Sequence, residues 1–208
     1  GDFRRTKVRV MPRIVLASQS TSRKRLLEGA GLKPTVIVSH VDEETEFFNA
    51  MTPEDMVIAL AVAKAHTVRG QIDYPAIIIG CDSTFDVDGV SFGKPGAPEV
   101  AIERAKKISG RTGLLHTGHC IIDTKQGKEI FKLSTAKVQF AEITDAEIVD
   151  YVDSGEPLNV AGGFTLDGLS SPFISRIEGE TSNVIGVSLP LIRNAVNKLG
   201  YEWFDLLS

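Results

Sequence analysis

The chain of 208 residues has little cysteine, a single tryptophan, no long apolar run and no excess of basic charge. Two cysteines, Cys81 and Cys120, are too few for a disulfide framework, and their apolar neighbours point to reduced, buried thiols. Apolar runs such as residues 76–79 fall far short of the roughly 20 residues a membrane-spanning helix needs, so no membrane partner is expected. Nothing resembles an export signal, which makes the cytoplasm the expected compartment. Lys and Arg number 23 against 27 Asp and Glu, a net charge of −4. That balance argues against extended nucleic acid as a partner, since such proteins carry basic domains. It leaves room for a local basic pocket.

What is present fits one large domain. The length allows a self-sufficient core, and 42% hydrophobic with 24% charged residues is ordinary for a globular chain. Residues 1–12 are expected to be an N-terminal extension, with Met11 a candidate natural start because organised sequence begins just after it. Residues 13–208 are expected to form a single domain.

Residues 14–17 read as a strand, followed by Ser18-Gln19-Ser20 and a helix over 21–30 that Gly31 is placed to end. Residues 36–38 read as a second strand running into Asp42-Glu43-Glu44. Thr52-Pro53-Glu54-Asp55 opens a helix with a cap residue, a proline and first-turn acids. Val57, Leu60, Ala61, Ala65 and Val68 form its apolar stripe, with Lys64 beside it. Residues 76–79 read as a strand buried on both faces that ends in Gly80-Cys81-Asp82. Asp88-Gly89 predicts a hairpin turn. Further expectations are a helix over 98–109, two long strands over 114–123 and 129–140, and a helix opened by the capping-box spacing of Thr144 and Glu147. A strand over 173–177 and a helix over 189–199 follow. Helices and strands alternate early and hairpins dominate the middle, which predicts an α/β fold with a mixed sheet.

The candidate chemistry starts at Ser18-Gln19-Ser20-Thr21-Ser22-Arg23, at a strand-to-helix junction. Backbone N–H groups at a helix start suit phosphate, the hydroxyls can donate to it, and Arg23 can grip it bidentately. Asp82, read as standing at the carboxyl end of a buried strand, is where open α/β sheets place ligands. Glu43 follows another strand end. Lys64 and Lys94 add cations, the latter fixed between Gly93 and Pro95. Carboxylates beside phosphate-type cations are how magnesium is usually held. Metal-assisted phosphoryl or nucleotidyl hydrolysis follows as the expected class.

Other chemistries fail on spacing. Residues 89–94 miss the phosphate-loop pattern, because the glycines are too close and Pro95 follows the lysine. Asp86-Val87-Asp88-Gly89 echoes a calcium loop, yet Thr84 and Pro95 occupy two ligand positions. His116, His119 and Cys120 do not make a zinc set: on an alternating strand His116 and Cys120 share a face and His119 points to the other. No Gly-x-Ser-x-Gly elbow is present.

Seven segments in order resemble the Maf-like family of nucleoside triphosphate pyrophosphatases: Leu16-Ala17-Ser18-Gln19-Ser20-Thr21-Ser22-Arg23, Asp42-Glu43, Ala63-Lys64-Ala65, Gly80-Cys81-Asp82-Ser83, Gly93-Lys94-Pro95, Ala161-Gly162-Gly163-Phe164, and Ile177-Glu178-Gly179 with Asn183-Val184-Ile185-Gly186. The resemblance implies an elongated, twisted mixed sheet with flanking helices and a central cleft, similar in outline to inosine-triphosphate pyrophosphatases. It implies cleavage of a nucleoside triphosphate between the α and β phosphates, to monophosphate and pyrophosphate. By the same resemblance Ser18, Ser20, Arg23, Lys64 and Lys94 would bind phosphates. Glu43 and Asp82 would hold Mg²⁺ or Mn²⁺, and Asp82 would orient or deprotonate water.

The base would be read by Ser22, Ser83 and Asp167. The dTTP/UTP branch of that family carries Arg, Thr and Gln at these positions, and this chain has none of them. Asp167 is closer to the Glu of the 7-methylguanosine-triphosphate branch. An ionised carboxylate only accepts hydrogen bonds, which suits the donors on guanine's edge. The alternatives are a dTTP/UTP-type or inosine-triphosphate-type enzyme, or a nucleotide-binding regulator of septum formation without turnover. A homodimer is left open as a partner.

Overall fold

The computed structural model describes residues 10–207; most of the extension expected over 1–12, residues 1–9, lies outside the described residues. The chain begins with β1 (Arg13–Leu16), whose last three side chains are buried, and turns at once into α1 (Thr21–Gly29). Ser20 caps α1 by accepting the Arg23 N–H at 3.3 Å. Next come β2 (Thr35–Val36), the short α2 (Glu46–Asn49) and α3 (Pro53–Arg69). The Thr52 hydroxyl accepts the Asp55 N–H to cap α3, Pro53 occupies its first turn, and His66 and Arg69 stand in the last.

The centre is built from β3 (Ala76–Val87), β4 (Val90–Phe92), β5 (Thr112–Asp123) and β6 (Lys128–Phe140), with α4 (Pro98–Ile108) between β4 and β5. After the capping box of Thr144 and Glu147 come α5 (Asp145–Asp153), β7 (Ile174–Glu178), α6 (Thr181–Ile185) and α7 (Leu189–Lys198). The sheet runs β2-β1-β3-β5-β6-β7, with β4 paired to β3. β1 is parallel to β2 and β3, whereas β3, β5, β6 and β7 pair antiparallel. The expected α/β fold with a mixed sheet and flanking helices is what forms.

Alternation along the strands sends two cores to opposite faces. Leu16, Ile77, Ile79, Cys81 and Ile121 pack on one side with Leu27 of α1 and Ile192 and Val196 of α7. Val15, Ile78, Cys120 and Ile122 pack on the other with Ala61, Ala65 and Val68 of α3. Both cysteines are free and buried. Glycine brings α3 down onto the sheet. A Cβ at Gly80 would stand 2.4 Å from the Ala61 carbonyl oxygen, and one at Gly118 would stand 2.2 Å from that of Val57. No other residue allows so close a helix, and that closeness sets the site geometry.

Two strand expectations are corrected. β3 does not end in Gly80-Cys81-Asp82; it continues to Val87 because β5 pairs with it from Ile77 to Asp86. Only its first four residues also pair with β1. Asp82 is therefore in mid-strand, but just past the point where β1 stops, so the parallel half of the sheet opens beside it. The second strand is shorter than the expected 36–38, since β1 ends at Leu16 and offers nothing beyond the Ile37 N–H to Leu16 carbonyl bond. Helices α2 and α6 had not been expected. Thr45 caps the first, and the Glu180 carboxylate accepts the Ser182 and Asn183 N–H groups of the second.

Candidate active site

Where β1 stops, α1, the loop after β2, α3 and β3 surround two adjoining cavities of about 500 and 380 Å³. Ser20, Ser22, Asp82 and Ser83 line the larger, and Ser18, Asp42 and Glu43 the smaller. Gln19, Arg23, Lys64 and Lys94 line both. Three cations thus stand on one wall system with four acids, Asp42, Glu43, Glu44 and Asp82.

Lys64 is buried on α3, and its ammonium lies 2.6 Å from Glu43 Oε1 and 2.9 Å from Asp82 Oδ1. It also donates to the Cys81 carbonyl at 3.4 Å. The two carboxylates respond differently. Burial pushes Asp82 above the ordinary carboxylate range, with the Glu43 charge adding to it and Lys64 only partly offsetting it. Burial also acts upward on Glu43, but the Lys64 charge and hydrogen bond, with Lys94 and Arg23, hold it below its ordinary value. Acids whose environments separate them are those that can divide proton transfer and charge binding between them. Each carboxylate engages Lys64 through one oxygen, and the hard oxygen donors of the pair fit a divalent cation.

Arg23 is buried and held on three sides. Its Nε donates to the Gly186 carbonyl at 2.6 Å, and its terminal nitrogens donate to Ser18 Oγ at 3.3 Å and Ser83 Oγ at 3.0 Å. A donor remains on each terminal nitrogen for a bidentate phosphate contact. Ser83 is drawn into this support, since its hydroxyl also bonds Thr117 Oγ1 at 2.7 Å and Thr117 donates onward to the Asn183 carbonyl. Lys94 is exposed and has no ion pair among the described residues, so it is free to meet a ligand.

Asp167 is placed differently. It is exposed, bonds Thr165, and lines a separate recess of about 290 Å³ with Ser22 and Arg25. Ser22 lines both that recess and the larger cavity, as the link between them. Sequence reasoning missed Thr117 and the Gly186 carbonyl, which position Arg23, and Asn159, Val160 and Thr165 on the cavity wall. A strand threonine and a backbone carbonyl give no local signal; only the fold brings them in.

A family model described as Maf-like protein matches residues 13–199. The chain belongs to the Maf-like family. A nucleoside triphosphate pyrophosphatase of Streptomyces coelicolor is 51% identical over 90% of this Maf-like chain and 91% of its own. One from Leifsonia xyli is 45% identical over 93% and 96%, and one from Thermosynechococcus vestitus is 45% identical over 92% and 96%. A solved nucleoside-triphosphatase / dITP/XTP pyrophosphatase from Mycobacterium abscessus is a distant likeness, with TM-score 0.41 and 15% identity over 90% of this chain and 94% of that one. Among the described residues no helix is long and apolar enough to cross a membrane.

Proposed function

We propose that this chain hydrolyses a nucleoside triphosphate between its α and β phosphates, releasing nucleoside monophosphate and pyrophosphate. The observation that carries the reading is the convergence of Arg23, Lys64 and Lys94 with Glu43 and Asp82 on one pair of cavities. The names of the relatives agree with it.

Arg23, anchored at Gly186, Ser18 and Ser83, presents its remaining N–H groups to phosphate oxygens. Ser18 and Ser20 sit at the same α1 start and add hydroxyls. Water attacks the α phosphorus, the bridging P–O bond breaks, and its electron pair leaves on pyrophosphate. Asp82 orients the water and takes its proton. Lys64 and Lys94 offset the charge growing on the leaving pyrophosphate. Glu43 and Asp82 are the residues that would hold Mg²⁺ or Mn²⁺. A divalent ion held there would supply further neutralisation of the phosphate charge.

For the base the reading favours a guanine type, 7-methylguanosine triphosphate among them, through acceptor contacts from Asp167. Ser22 borders the same recess, and Ser83 acts first through Arg23. The cytoplasm, where nucleotides are found, is the proposed compartment, and a homodimer is a proposal for sedimentation analysis to decide. The test of function is a screen of standard and modified triphosphates with Mg²⁺ or Mn²⁺, with products identified. Monophosphate and pyrophosphate from a guanine-type triphosphate are expected. Tight nucleotide binding without any turnover would replace this reading with the regulator.

A further inference from the structure

A second convergence of carboxylates on a nitrogen lies further along α3 and β3, outside both cavities. Glu54 stands in the first turn of α3, Asp86 near the end of β3, and His116 on the neighbouring β5 between them. His116 Nε2 is 3.0 Å from Asp86 Oδ2 and 3.2 Å from Glu54 Oε1. Along an extended strand from Asp82 to Asp86, or along the helix from Lys64 to Glu54, the separation from the first site is roughly 13–15 Å.

The three ligand atoms all lie within 4.8 Å of one another. The nitrogen-to-oxygen separations of 3.0 and 3.2 Å match the edges of a coordination shell with bonds of about 2.1 Å. The groups are also held from behind. His116 Nδ1 bonds Thr135 Oγ1 at 2.8 Å, and Asp86 Oδ1 accepts the Gly89 N–H at 2.8 Å. In the tautomer that carries the proton on Nδ1, Thr135 accepts it and the Nε2 lone pair is left facing two carboxylate oxygens, an arrangement that a cation would satisfy. Support of this kind fixes the tautomer and orientation of metal-ligating histidines. The His116 side chain is 2% exposed and that of Asp86 8%, but Glu54 is 41% exposed and leaves a way in from solvent. A role for Glu54 as a helix-start acid accounts for its charge. It does not account for its turn toward a buried imidazole.

We propose that Glu54, Asp86 and His116 form a second divalent-metal site, of the Zn²⁺ class. One imidazole nitrogen and two carboxylate oxygens suit Zn²⁺, with its remaining position left to water. The all-oxygen donors at Glu43 and Asp82 suit the harder Mg²⁺ instead. The proposal is independent of the pyrophosphatase reading, since none of its residues borders the phosphate cavities.

The test is calorimetric titration of the chelator-treated full chain with Zn²⁺ alone, without nucleotide, on wild type, E54Q, H116Q and D82N. Wild type and D82N are expected to bind about one equivalent with the same affinity, and E54Q and H116Q at least ~10-fold more weakly. E54Q alters a partly exposed side chain and keeps the test valid where H116Q fails to fold. Absence of Zn²⁺ binding by wild type overturns the proposal. So does unchanged binding by E54Q, or a loss confined to D82N.

Discussion

The interface of α3 with β3 carries the same motif twice, and its two ends do different things with it. At one end Glu43 and Asp82 close on the ammonium of Lys64; at the other Glu54 and Asp86 close on the imidazole of His116. An ammonium offers only donors, so Lys64 can neutralise acids and phosphates but cannot ligate a metal. An imidazole can exchange its proton for a metal. The surroundings differ as well. The Lys64 end opens into cavities that also hold Arg23 and Lys94, whereas the His116 end borders neither. Paired carboxylates alone therefore do not single out the proposed catalytic end; the extra cations and the space beside them do.

The sharpest way to break this contrast is to remove one acid at each end. Asp82→Asn is expected to lower kcat at least ~10²-fold, within the general acid–base range, while circular dichroism shows an unchanged fold. Glu54→Gln, its counterpart, is expected to leave turnover within about 2-fold. Equal losses from the two variants would erase the distinction between the ends.

The helix seating comes next. Gly80→Ala places a methyl group against the Ala61 carbonyl and should destabilise the fold by about 1–3 kcal/mol in urea titration, as overpacking does. It should also lower turnover by moving Lys64 away from Asp82. Gly70→Ala, whose nearest contact is 3.5 Å away, is expected to change neither.

β5 offers its own contrast between two histidines on opposite faces. His116 meets carboxylates. His119 is fully buried, its Nε2 accepting the Ser188 N–H at 2.9 Å, and burial followed by the Arg23 charge lowers its pKa to about 4. The native state keeps His119 neutral while the unfolded chain protonates it below the ordinary histidine value of 6.5. Its contribution is complete above about pH 6.5 and is lost as pH falls to about 4, a difference of about 3 kcal/mol. The stability of His119→Gln should accordingly fall less steeply over that window than wild type, as read by denaturation at each pH. Equal slopes would show that His119 titrates normally in the native state.

The smallest expected effect is at the base. Asp167→Gln should lower the preference for guanine-type over other triphosphates without lowering the best kcat, measured as a ratio of kcat/KM values. An unchanged ranking would remove Asp167 from base reading.

How much of this was legible beforehand follows from what each residue's neighbours reveal. Arg23 announces itself by the hydroxyl-rich helix start, and Asp82 by following a buried apolar run. The length of β3 was hidden, because Gly80 and Asp82 look like terminators until β5 supplies a partner along the whole strand. Gly80 marks a close helix approach instead of a strand end. The His116 cluster was invisible for a different reason. In the sequence Asp86 falls within a calcium-loop pattern that fails and His116 within a zinc set that fails, each a local pattern. Their common partner, Glu54, comes from a separate element that only the tertiary fold brings near. Asp167 was legible as a residue type but not as a position, since a loop's path over the surface leaves little trace in pattern.

The phosphorus that water attacks decides the roles proposed for Asp82, Lys64 and Lys94. Turnover of a guanine-type triphosphate in ¹⁸O-labelled water with Mg²⁺ or Mn²⁺, followed by ³¹P NMR and mass spectrometry, identifies it. The prediction is pyrophosphate without label and nucleoside monophosphate carrying it. Label in pyrophosphate, or release of orthophosphate, would contradict attack at the α phosphorus and the roles given to Asp82, Lys64 and Lys94.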